Sequence, residues 1–169
     1  MRFDLFQQMS PKEAAELLDQ FLRNGRQILY ESKVELTNMK LDQLVKELVG
    51  LASHTQFVEK SPDHNLPSFI LNNPIYQNSL FEFAPESKRF VVFAAFLIGE
   101  WLVRSFTSLH WKTGDMSFAT GAMPVVAGFG SKKEMPALLV AENLFRKSKQ
   151  HPMASELFQK SLQRWVDNI

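Results

Sequence analysis

At 169 residues, with 45% hydrophobic and 22% charged residues, the chain is sized for one domain whose core needs no covalent staples. The absence of cysteine excludes disulfides, thiolate catalysis, iron–sulfur clusters and cysteine-ligated zinc. A net charge of +1 offers no global field for nucleic acid or a membrane, although residues 111–169 alone sum to +3.

The first residues, Met1-Arg-Phe-Asp-Leu-Phe, lack the apolar stretch and small-residue cleavage site of a secretory signal, and the expected location is cytoplasmic. Ser10-Pro11-Lys12-Glu13 is a helix start, with serine to cap, proline at the first helical position and glutamate to reach back. Leu17, Leu18, Phe21, Leu22, Ile28 and Leu29 then repeat at helical spacing, to about Tyr30. A second amphipathic helix follows Asn38 and gathers Leu41, Leu44, Val45, Leu48, Leu51 and Ala52 on one face. Residues 10–53 are therefore expected as an antiparallel helical hairpin. Prolines at 62, 67, 74 and 85 break the pattern and make 54–85 irregular, with short helical turns expected around Pro67–Leu71 and Pro74–Leu80.

Pro85-Glu86 opens a central helix expected over 86–108. Phe90–Val103 is nearly solid hydrophobe, so this helix should be the most buried. It falls short of the roughly 20 apolar residues a bilayer span requires. Beyond it, His110–Thr113, Met116–Ala119 and Pro124–Ala127 are β-prone pieces parted by glycines, giving a β element over 109–130. Two helices, from about Met135 and from Pro152, fill 135–167. The class is mainly α: a single helical domain with a small two- or three-stranded antiparallel β element.

Glu100 interrupts the apolar run, and Arg104 follows one helical turn later on the same face. A buried carboxylate demands a partner, and Arg104, His110, Trp111 or amides of the β element are the candidates. The catalytic alternative is a small enzyme in which Glu100 and His110 form an acid/base pair in a pocket beside the β element. The four histidines, at 54, 64, 110 and 151, show no metal-ligand spacing, so neither metal nor cofactor is expected. Gly128-Phe-Gly-Ser-Lys-Lys133 lacks the spacing of a phosphate loop. Arg146, Lys147 and Lys149 cluster at a helix end, where cations suit the dipole, and nucleic-acid binding is discounted.

Gly99-Glu100-Trp101-Leu102, Trp111, Pro124-Val125-Val126 and Pro136–Val140 together form a pattern that resembles one in small uncharacterised bacterial proteins. There a helix ending in Gly-Glu-Tyr/Trp leads to a Trp-bearing strand, a second strand near a proline and a Pro-initiated helix. The resemblance covers residues 94–145, and the first 85 residues contribute nothing to it. It implies that the glycine admits another backbone, the glutamate ties helix to hairpin and the tryptophan plugs the join. Such proteins look like binding modules, and several are immunity proteins encoded beside toxins.

The expected function is a non-enzymatic protein-binding module: an immunity protein, inhibitor or adaptor that occludes a protein partner such as a toxin. No membrane partner is expected, and homo-oligomerisation is left open. Loops on a rigid scaffold are free to recognise, so Phe81, Phe83, Phe118, Phe129, Lys132 and Lys133 are the partner-binding candidates.

Overall fold

The apolar run becomes the organising helix. The computed structural model describes residues 6, 8–61, 67, 80–115, 121–130, 133–149, 151 and 153–169. Helices account for 61% of these, with two small antiparallel sheets, so the class is mainly α with a small β component. Helix α1 spans Pro11–Ser32 and α2 Leu41–Ser53. Strands β1, Phe57–Glu59, and β2, Phe81–Phe83, pair as a ribbon. A 3-10 turn at Pro85–Ser87 leads into α3, Lys88–Ser105. Strands β3 (His110–Thr113), β4 (Pro124–Ala127) and β5 (Met135–Pro136) form the second sheet, and α4 (Ala137–Ser148) and α5 (Ala154–Val166) complete the chain. Among the described residues no helix is long and apolar enough to cross a membrane.

In α3, Val91 and the unbroken run from Phe93 to Leu102 are buried. No face of that stretch is free for solvent, as its composition requires. The helix stops short of residue 108 because Phe106 adopts extended backbone (φ −134°, ψ 112°). α3 and α4 form the most extensive helix pair. α4 then stacks on α5 through Phe145 and Phe158, whose rings lie 6.1 Å apart and nearly parallel.

The start of α1 follows the sequence reading. The Ser10 amide donates to Glu13 Oε2 at 2.7 Å and the Glu13 amide to Ser10 Oγ at 3.3 Å, a reciprocal capping box. The antiparallel hairpin does not form. α1 packs on α3, β3 and β4, whereas α2 packs on α3 and α5 and has little contact with α1. Amphipathic stripes fix which faces are buried and leave the partner open. The partner shared by both is α3, and α2 packs on α5 as well. The Trp101 indole N–H also donates to the Met39 carbonyl at 2.8 Å, which pins the α1–α2 connection to α3.

The region expected to be irregular contains the β1–β2 ribbon, with Phe57 opposite Phe83 and Glu59 opposite Phe81. The helical turns expected at Pro67–Leu71 and Pro74–Leu80 lie largely outside the described residues, as does the β-prone piece Met116–Ala119. In the second sheet β4 is central and wholly buried, pairing Trp111 with Val126 on one side and Met135 with Val126 on the other. Met135 therefore belongs to a short edge strand, not to the helix expected from that residue. Proline is tolerated there because Pro124 opens its strand and Pro136 sits on an edge. Gly128 closes β4 at φ +102°, a conformation that glycine adopts without cost.

Candidate functional site

Glu100 sits in the middle of the buried face of α3, 5% exposed. Its two oxygens are both engaged: Arg104 Nε donates to Oε1 at 2.9 Å, and the Trp111 indole N–H donates to Oε2 at 3.2 Å. The spacing places Arg104 one turn above the carboxylate, with its side chain 45% exposed, so the guanidinium hydrates while the carboxylate does not. Trp111 reaches the same point from β3. What approaches Gly99 is thus the Trp111 ring and not another backbone; a Cβ on Gly99 would fall inside that ring. Gly25 on α1 receives the Phe96 ring in the same way.

His110 does not join this group. Successive side chains on a strand point to opposite faces, so with Trp111 directed at Glu100, His110 is turned outward and is exposed. Glu100, Arg104 and Trp111 are brought together as a tied corner, and the acid/base pairing of Glu100 with His110 is absent. Among the described residues no three His, Asp or Glu side chains gather as metal ligands.

The partner-binding candidates separate by burial. Phe83 and Phe129 are core residues, 3% and 4% exposed. Phe83 packs against Phe57, ring centroids 4.5 Å apart, and Phe129 against Trp165 at 5.3 Å. Phe118 and Lys132 lie outside the described residues. Lys133 is exposed, with Nζ donating to Asn168 Oδ1 at 2.8 Å. Phe81 alone of the described aromatic candidates keeps an open face, at 38% exposure.

Phe81 edges a cleft of about 560 Å³ between the β1–β2 ribbon and the C-terminal turn of α4. Paired strand residues share a face, which places Phe57, Phe83, Glu59 and Phe81 together on the side that looks at α4. From α4, Arg146 lies over the Phe83 ring at 5.0 Å and donates to the Phe81 carbonyl. Just beyond the helix, Lys149 Nζ is 5.6 Å from the Phe57 ring centroid. Arg146 is held by a second buried acid, with Nε donating to Glu142 Oε1 at 2.9 Å. This pair has the same i, i+4 spacing as Glu100 and Arg104, and the sequence reading passed over it. Its signal was available, since Glu142 falls inside the apolar stripe of Leu138, Ala141, Leu144 and Phe145.

The ribbon is clasped on its other face, where Lys60 Nζ meets Glu82 Oε1 at 2.6 Å. The Lys60 hydrogen bond holds the Glu82 carboxyl below its ordinary value. A second, shallower groove of about 460 Å³ runs between α4 and α5, lined by Lys133, Lys147, Arg164, Trp165 and Asn168 among others. Asn143 and Lys147, one turn apart on α4, line both hollows. No match was found among protein-family profiles, curated proteins or solved structures.

Proposed function

We propose that the protein acts by binding a protein partner, as an inhibitor, an adaptor or a bacterial immunity protein would, and that the ribbon–α4 cleft is the surface it presents. The observation that carries this reading is Phe81: an open aromatic ring at the rim of a hollow whose other wall bears Arg146, Lys147 and Lys149. Aromatic and arginine side chains around a concave patch are the usual anchors of protein interfaces. The engagement of both Glu100 oxygens supports the same reading, because a carboxylate held by Arg104 and Trp111 serves the join between α3 and β3.

Photo-crosslinking in the native cell tests this. A photoreactive phenylalanine analogue at position 81 should yield a discrete crosslinked protein. The same analogue at Glu31, on the exposed side of α1, should not. Equal products from the two positions, or none from position 81, would overturn the reading.

A further inference from the structure

We infer that the two hollows flanking α4 form one recognition groove, and that its occupant is an acidic segment of a partner protein. The inference rests on the binding reading above and specifies the chemistry of what binds. Asn143 and Lys147 belong to both hollows, so an extended chain crossing α4 would meet each without leaving the surface. Five cations line the combined groove: Lys133, Arg146, Lys147, Lys149 and Arg164. Glu59 is the one carboxylate among its described lining residues. Glu142 neutralises Arg146. Lys147, Lys149 and Arg164 form no salt bridge among the described residues.

The whole chain carries only +1, so this positive charge is local and not part of a general excess. A helix C-terminus favours cations on its own account, but that effect acts on each helix separately. It does not bring cations from α4, α5 and the segment before β5 to one groove. A complementary acidic ligand follows from the charge.

The rings decide between polypeptide and nucleic acid. Single strands bind by stacking bases on open aromatic faces. Here Phe57 is covered by Phe83 on one side and approached by Lys149, Phe83 lies beneath Arg146, and Trp165 packs on Phe129. Phe81 is left as an isolated apolar contact, and the Asn143 amide at the crossing can pair with a peptide group, both as donor and as acceptor.

The test titrates the isotope-labelled full chain with an oligoglutamate peptide of about ten residues, roughly 35 Å when extended, carrying a central phenylalanine. A glutamine version and a single-stranded oligonucleotide of equal charge run alongside. The Asn143 side-chain amide and the Trp165 indole signals should shift saturably with the acidic peptide and stay in place with the neutral one. Lys147→Glu, at an exposed position, should weaken binding about tenfold, Lys147→Arg should restore it, and Lys46→Glu on α2 should leave it unchanged. Unmoved signals, or a Lys147→Glu protein that binds as tightly as the parent, would overturn the inference. So would tighter binding of the oligonucleotide, which would assign the groove to nucleic acid. A partner crosslinked at position 81 whose capture is indifferent to Lys147→Glu would overturn the acidic segment alone and leave the binding reading standing.

Discussion

Removing either half of the Glu100–Arg104 pair should destabilise the protein, and by different amounts. The carboxylate is the buried member, its side chain 7% exposed, while that of Arg104 is 45% exposed. In Glu100→Ala the guanidinium turns to water at little cost, and the main loss is the acceptor of the half-buried Trp111 indole N–H. An unmet buried donor costs about 1–3 kcal/mol. In Arg104→Met the carboxylate stays behind with Trp111 as its one remaining donor among the described residues, which falls in the roughly 3–5 kcal/mol range for stranding a buried charge. Arg104→Met should therefore be the more damaging by about 1–2 kcal/mol. At this chain length 1 kcal/mol moves the thermal midpoint by about 2–4 °C, so calorimetry and urea titration both resolve the order. Equal losses, or a larger loss for Glu100→Ala, would refute the assignment of the carboxylate as the buried partner.

Three further outcomes follow from the packing. Gly25→Ala should cost about 1–3 kcal/mol in urea titration, because its Cβ meets the Phe96 ring. Gly50→Ala, with nothing within 4 Å, should stabilise α2 by about 0.5–1 kcal/mol. Trp101→Phe removes the donor to the Met39 carbonyl and should cost about 1–2 kcal/mol by the same assay. On acidification the Lys60–Glu82 contribution, complete above the carboxyl's ordinary 4.5, drains away as pH falls through the lowered value. Both side chains are about half exposed, so the effect is under about 1 kcal/mol. Hydrogen exchange corrected for intrinsic rates should show β1–β2 amides loosening as pH falls below that ordinary value while those of α3 hold.

What was legible in the sequence was local. Ser10, Pro11 and Glu13 announce a helix start because the capping box closes within one turn. Burial of α3 could be read because its apolar run leaves no solvated face, and Glu100 stood out against it. What stayed hidden depends on pairing across the chain. Strands of three residues, such as Phe57–Glu59 and Phe81–Phe83, are too short for alternation to register, and Met135–Pro136 shorter still. Arg146, Lys147 and Lys149 read as dipole-matched cations, since nothing local says that an aromatic ribbon lies opposite. Arg146 and its acceptor Phe81 are 65 positions apart. Phe83 and Phe81 share a strand face, yet only the first lies beneath the Arg146 guanidinium.

The seat of α1 depends on two elements at once. This helix of 22 residues buries only Ala14, Phe21, Gly25 and Leu29. Phe21 rests edge-on between two rings, Phe96 of α3 at 6.1 Å and Trp111 of β3 at 5.5 Å. Neither ring makes a docking surface alone, and Trp111 reaches its position only once β3 is laid against α3 at Gly99. α1 therefore docks on a surface that α3 and β3 build jointly. The helix whose start is encoded within one turn is thus seated by rings 75 and 90 positions further along the chain than Phe21.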